Sequence, residues 1–437
     1  MPNIIKNVFF TKFAPLNKQN MRVFKFGGAS VRDAAGIKNV ASIIQKYGDK
    51  NTLVVVSAVG KTTNALEEVV AAYFDASKGG KKTLEPVKNN HLEICAGLFN
   101  TDNPVYAHLE KVFSEIEQRF DTTPSDNYNH IYDQIVSQGE LLSSIILSAY
   151  LKEAGIDNNW LDVREIIKTD NTYREAVVDW VKTGELVATK VVPMVNGSIV
   201  VTQGFLGSTS DSQTTTLGRE GSDYTAAIFA NLLNAENQTI WKDVPGVMNG
   251  DPRIFSDAVF LEQISYNEAV EMTFYGATVI HPKTIKPLQN KNIPLHVRSF
   301  INPEGVGTIV GKEDQKSLPP IRIVKKNQAL LTLTTKDFSF IQEDVLASIF
   351  RAFSKVNLKL NMMQQEAISF EAVVDNQEDK IARLMKFLQD NFQIEIQEDL
   401  SILTLRHYND ATIVQNSAGK EVLLVQKTST TYQSLIR

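Results

Sequence analysis

Arg22-Val23-Phe24-Lys25-Phe26-Gly27-Gly28-Ala29-Ser30 is the stretch that decides the fold. A short apolar strand carries one cation, Lys25, near its end, and a turn of small residues follows at once. Ile37, Val40, Ile43, Ile44 and Tyr47 then recur at helical spacing, so the segment reads strand, loop, helix. The pattern repeats: Leu53-Val54-Val55-Val56 is a continuous apolar run, the mark of a strand buried on both faces, and Ser57-Ala58-Val59-Gly60 leads into another helix. Such alternation predicts an α/β fold, a three-layer αβα arrangement with a mostly parallel sheet.

Outward from this core, residues of about 64–153 read as a helical excursion on one side of the sheet, with Ile135, Leu142, Ile145, Ile146 and Ala149 at helical spacing. Strands are expected at Val191 to Val195, Ile199 to Gln203 and Thr239 to Trp241. Gly207 to Gly218, almost without apolar side chains, reads as an ordered loop or hairpin bordering a polar ligand, and a helix begins at Ser222. The first domain is placed at 21–311, and Pro319-Pro320 lies in a linker near 312–320. Beyond it a strand at Ala329 to Thr335, a helix from Glu343 to Val356, strands at Leu358 to Gln364 and Ile368 to Val374, and a helix from Glu378 to Leu388 form a ferredoxin-like α+β unit. Further strands are expected at Ile394 to Glu398 and Ser401 to Arg406.

Composition removes several classes of function. Forty-five Lys and Arg against 50 Asp and Glu give a formal charge of -5, which offers no general attraction to nucleic acid or to a membrane surface. The single cysteine, Cys95, reads as a buried small side chain in a reducing compartment, and a cytoplasmic location is expected. The segment 1–20, with Lys6, Lys12 and Lys18 and no acid, reads as an extension outside the fold rather than a targeting signal.

The chemistry starts at Lys25, where Gly27 and Gly28 let backbone N–H groups approach phosphate oxygens. Two nucleotide signatures fail on spacing: Gly60-Lys61-Thr62 imitates the end of a P-loop but Val55 stands where its first glycine belongs, and no Gly-x-Gly-x-x-Gly turn follows the first strand. Gly218-Arg219-Glu220-Gly221-Ser222-Asp223 combines a forked cation, exposed amides and a carboxylate where a loop meets a helix, a fit for an amino-acid carboxylate. Helix capping alone accounts for Ser222 and Asp223 but not for Arg219 between its glycines.

Over residues 22 to 437 the chain resembles the aspartate kinases of the amino-acid kinase family. The matching elements run in order: Lys25 to Ser30, Val56-Ser57-Ala58 with Thr63-Asn64, Gln138 to Ser143, Leu161-Asp162-Val163-Arg164, Gly218 to Asp223, Lys242 to Val247, Asp251-Pro252-Arg253, and Tyr275 to Pro282. The resemblance implies transfer of the γ-phosphoryl group of ATP, with Mg2+ on its phosphates, to L-aspartate, the first step towards lysine, threonine and methionine. By the same resemblance Lys25 stabilises the transferred group and Asp223 holds Lys25. Ser57, Thr63, Glu140, Arg219, Gly221 and Ser222 bind the amino acid, Arg219 on the α-carboxylate and Glu140 on the ammonium. Lys25, Gly27, Gly28, Lys242, Asp243, Met248, Arg253, Thr278 and Val279 form the nucleotide side, and no protein-held metal is implied. Met248, Thr278 and Glu220 depart from the family's commoner Tyr, Lys and Gly.

Residues 321–437 resemble ACT regulatory domains and imply a homodimer through this region. The second ACT unit reads as truncated, with both helices missing after Arg406, which implies weak feedback control. His281-Pro282 reads as a helix cap. The alternatives are a family member acting on a different carboxylate, or an inactive amino-acid sensor.

Overall fold

Valine- and isoleucine-rich runs closed by small residues are too short for buried helices and assemble side by side as strands. The computed structural model describes residues 20–437 except 76, 78, 122–126, 278, 279 and 314–316. These residues form two compact units. The first holds the described residues up to Val247 together with Leu261–Asn267 and Ile280 onwards to residue 313; the second holds Met248–Phe260, Glu268 to Ala277 and residues 317–437.

The first half of the chain supplies β1 (Arg22–Phe26), β2 (Asn51–Val56), β3 (Asn158–Leu161), β4 (Ser198–Gln203), the hairpin β5 (Leu206–Ser208) and β6 (Thr214–Thr216), and β7 (Asn237–Lys242). Two-residue strands β8 (Val247–Met248) and β9 (Phe260–Leu261) precede β10 (Gln263–Ser265), β11 (Leu295–Ser299) and β12 (Thr308–Gly311). Eight strands of the first unit make one sheet in the order β10-β12-β11-β7-β1-β2-β4-β3, parallel except between β11 and β12. Strand order reverses at β1, which lies between β2 and β7 with Lys25 opposite Val55 and Ile240. In open α/β sheets such a reversal, at the carboxyl ends of the strands, is where ligands bind.

Helix α1 (Ala34–Tyr47) is the expected helix after β1, and α2 (Thr62–Phe74), α3 (Gly80–Ala96), α4 (Val105–Arg119), α5 (Tyr128–Val136) and α6 (Gln138–Glu153) give the expected excursion its helical character. Their apolar faces join Phe24, Phe26, Val54, Val56 and Trp241 in a single core cluster that includes Cys95. Next come α7 (Trp180–Leu186), α8 (Val192–Val195), α9 (Gly221–Leu233), α10 (Tyr266–Phe274) and α11 (Pro282–Lys291).

Val191 to Val195, expected as a strand, is helical: a π-helical turn over Val187–Val191 runs into α8. The β-branched run suggests a strand, but Val187, Val191 and Val195 lie four apart and are all buried, which is a helical face.

The second unit is a six-stranded antiparallel sheet ordered β14-β15-β13-β16-β18-β17. Its strands are β13 (Ile321–Thr335), β14 (Leu360–Gln365), β15 (Ser369–Asp375), β16 (Phe392–Arg406), β17 (Val422–Lys427) and β18 (Thr431–Ile436). Helices α12 (Glu343–Val356) and α13 (Glu378–Leu388) bury Ile349, Phe353, Ile381 and Leu384 against Leu331, Leu333, Phe370 and Ala372. The two strands expected from Ile394 to Arg406 are one. The apparent break is an irregularity: Asp399, left-handed at φ 57°, and Asn327 of β13, at φ 56°, lie where the pairing register of the two strands shifts. The same irregularity hid the first half of β13, so this strand begins at Ile321 rather than Ala329. A second correction concerns the missing helices: α14 (Asp410–Ser417) is present, capped by the Asn409 side chain on Thr412 N–H, with Ile413 packed on Leu403, Leu405 and Tyr432.

Candidate active site

Lys25 is 7 % exposed, and its ammonium lies 2.5 Å from Oδ1 of Asp223, which is 1 % exposed in the first turn of α9. Burial alone pushes the ammonium's pKa down, but Asp223, with help from Glu220 and Glu140, outweighs it and the net shift is upward. Burial likewise pushes Asp223 up, and the charges of Lys25 and Lys242 bring it below the ordinary value. The pair is therefore ionised at neutral pH. No donor other than Lys25 reaches either oxygen of Asp223 in hydrogen-bonding geometry among the described residues.

Glu140 opens α6 and is buried as well. Ser222 Oγ donates to its Oε1 at 2.7 Å, and the backbone N–H groups of Ala58 and Gly204 also favour its charged form. Burial pushes this carboxyl up to about 7, against the opposing pull of Ser222 and Lys25. A buried carboxylate kept on the edge of ionisation and facing a cavity suits a cationic partner such as an amine.

These groups face one cavity of about 700 Å3. Its wall includes Lys25, Ser57, Thr63 and Glu140, and from the α9 end Arg219, Gly221, Ser222 and Asp223. All eight residues expected at the phosphoryl-transfer and amino-acid ends are thus gathered from two strand ends and three helix starts separated by up to 198 positions (223 − 25). Gly28 also has a packing reason: a Cβ there would sit 2.6 Å from the Ala58 carbonyl and 2.7 Å from that of Gly60, so the glycine permits the 58–60 turn to close on the strand end.

The sequence profile of the amino acid kinase family matches residues 20–299. The chain belongs to that family. It is 33 % identical over 355 residues to lysine-sensitive aspartokinase 3 of Escherichia coli, covering 81 % of this chain and 78 % of the relative. It is also 33 % identical to bifunctional aspartokinase/homoserine dehydrogenase 2 of Arabidopsis thaliana, covering 66 % of this chain but 32 % of that one. The solved structure of E. coli aspartokinase III in complex with aspartate and ADP superposes with a TM-score of 0.80 at 28 % identity, over 95 % of this chain and 96 % of that chain.

In this amino acid kinase the remaining expected residues are placed less uniformly. Lys242 ends β7, within electrostatic reach of Asp223, and Asp243 follows it on the surface. Met248 and Arg253 belong to the second unit, where the exposed Arg253 guanidinium pairs with Asp251 at 2.7 Å. Thr278 and Val279 lie outside the described residues, as do residues 1–19. His281 is a cap, its Nδ1 accepting from the Lys283 N–H at the start of α11. Sequence reasoning missed other cavity residues, among them Glu67, Tyr132, Arg174 and Phe205. Only Phe205 carries a local signal, following the Gly204 turn at the end of β4; the others sit on helix faces or in a loop and meet the site only through packing.

Proposed function

We propose that the chain is an aspartate kinase, transferring the γ-phosphoryl group of ATP to the side-chain carboxylate of L-aspartate to give ADP and 4-phospho-L-aspartate, a step of amino-acid biosynthesis. The observation that carries this reading is the presence, in one cavity, of the buried Lys25–Asp223 pair, the Glu140–Ser222 pair and Arg219. Similarity to aspartokinases along most of the chain supports it.

The acceptor carboxylate is ionised at neutral pH and needs no general base. The work of the site is to hold one anion against another and to neutralise charge as the phosphoryl group passes between them. Lys25 provides that charge at the end of β1, with Asp223 fixing its direction. Arg219 takes the α-carboxylate in a forked pair, and Glu140 accepts from the α-ammonium while Ser222 holds its other oxygen. Ser57 and Thr63 line the acceptor end; Gly27, Gly28, Lys242, Asp243, Met248, Arg253, Thr278 and Val279 serve the nucleotide.

Among the described residues no group of three or more His, Cys, Asp or Glu could hold a metal ion. Mg2+ carried on the ATP phosphates, which its preference for phosphate and water oxygens favours, would neutralise part of their charge. Asp223, with a buried oxygen that lacks a donor, is the protein group suited to meet it.

The second unit serves regulation and homodimerisation in this proposal, with α14 making its last part less reduced than the sequence suggested. An ADP-release assay with and without L-aspartate, plus hydroxylamine trapping of the acyl phosphate, tests the reading. ATP consumption that depends on aspartate and yields the hydroxamate is expected; aspartate-independent or absent turnover overturns it.

A further inference from the structure

Seven residues before Glu140, Asp133 on α5 is completely buried. Thr216 donates to it twice, from N–H at 2.8 Å and from Oγ1 at 2.7 Å, and the Arg174 N–H is shared between its two oxygens at 3.1 and 3.0 Å. A buried carboxylate is tolerated when donors converge on it in this way. Its grip on the backbone holds Arg174 at φ 70°, a left-handed conformation that arginine seldom adopts. Strain of this kind persists where the surroundings over-determine it, and it clusters at ligand sites.

The strained segment is interlocked with the one that carries Arg219. Ala176 N–H donates to Thr216 O at 2.9 Å. A Cβ on Gly218 would lie 3.0 Å from the Arg174 carbonyl and 3.1 Å from Glu175 Cγ, so a side chain at this left-handed position, φ 78°, would crowd the two segments where they pass. Both arginines line the same cavity.

The Arg174 guanidinium lies over the Tyr132 ring, 4.3 Å from its centroid, and 5.9 Å from that of Tyr128. Tyr132 is itself fixed, its hydroxyl donating to Glu67 at 2.7 Å. Stacking holds a guanidinium by its face and leaves the edge N–H groups for acceptors in its plane. No carboxylate pairs with that edge among the described residues. The cavity wall carries five acidic side chains against three basic ones, so an anionic acceptor depends on where those cations point.

We propose that Arg174 is a second carboxylate-binding residue of the acceptor site, sharing the α-carboxylate of the substrate with Arg219, and that Asp133 is its positioning residue. This rests on the aspartate kinase reading. A carboxylate has about four lone-pair sites and can take two guanidiniums at once. Arg174 lies on the Arg219 segment's flank, which places it with the acceptor rather than the nucleotide.

The test compares L-aspartate with its α-amide, which keeps the reacting carboxylate and the amine but removes the charge that Arg174 would bind. Arg174→Ala, at an exposed position, should lower kcat/KM for L-aspartate about 10- to 100-fold. The same change should cost the α-amide less than about threefold and leave the ATP KM within about twofold, because no interaction with either is lost. Arg174→Lys, which keeps charge without the fork, should fall between. Asp133→Asn should raise the aspartate KM far more than it lowers kcat; if that variant does not fold, the Arg174 pair decides. Equal losses on both acceptors, a shift confined to ATP, or no loss would overturn the inference. Wild-type enzyme without aspartate-dependent turnover would instead overturn the reading beneath it.

Discussion

Each unit buries an ion pair, and the two pairs are finished differently. In the second unit Arg406 is 7 % exposed and Glu268 6 %. Arg406 Nε and Nη2 reach the two oxygens of Glu268 at 2.7 and 2.9 Å, Nη1 reaches Glu271 and Thr431 at 2.9 Å each, and His407 Nε2 adds a 2.9 Å contact to Glu268. Every charged edge is used. In the first unit Lys25 and Asp223 are as deeply buried, yet among the described residues Asp223 pairs with Lys25 alone, and it faces a cavity. Full satisfaction marks a pair that holds structure, and open valences beside a cavity mark one kept for a ligand.

The largest effect should come from the open pair. Lys25→Ala should lower turnover by about 10³-fold or more, since a preorganised charge at the transferring group is lost. Its melting temperature should fall little, because water in the cavity can solvate Asp223. A variant keeping more than a tenth of wild-type turnover would break the assignment.

Arg406→Ala should do the reverse at the closed pair, costing about 3–5 kcal/mol of stability by stranding Glu268 in the interior. Denaturant titration of both variants checks the contrast directly. Equal stability losses would show that the open valences of Asp223 have no meaning.

A smaller effect is expected of Arg219→Lys, which keeps the charge and loses the fork. The aspartate KM should rise by about tenfold and the ATP KM hardly at all. Steady-state kinetics with each substrate varied in turn would place Arg219 on the nucleotide side if both constants moved together.

The smallest effect is in pH. Glu140, pushed up to about 7 by burial, must be ionised to accept an ammonium, so the aspartate KM should fall several-fold as pH rises from about 6 to 8. The folded state binds this proton more tightly than the unfolded chain, so the protonated carboxyl's contribution to stability is lost as pH rises from the ordinary carboxylate range through about 7. Ser222→Ala, removing a donor to the charged form, should move the KM midpoint upward. A flat KM profile over this range would remove Glu140 from ammonium binding.

Much of the comparison was legible in the chain itself. Lys25, Glu140, Arg219 and Asp223 each stand in a recognisable local setting: a strand end before glycines, a helix start, a polar loop entering a helix. Asp133, Tyr132 and Arg174 give no such signal, because their roles arise from hydrogen bonds across 41 to 83 positions of sequence and from one left-handed residue. Val191 to Val195 looks like a strand because β-branched residues favour strands locally, while the spacing of its buried face belongs to a helix. The irregularity at Asn327 and Asp399 resembles strand ends in sequence, since polar residues within a strand look like its boundary.

Sequence by itself determined the parallel sheet, the antiparallel C-terminal unit and the residue types at the strand ends, because periodicity and turn chemistry act over a few residues. Tertiary structure alone decided which charges are buried, which of them keep open valences, and that Arg174 flanks the segment of Arg219. Those properties depend on exclusion of water and on donors brought together from distant segments, and no local pattern encodes either.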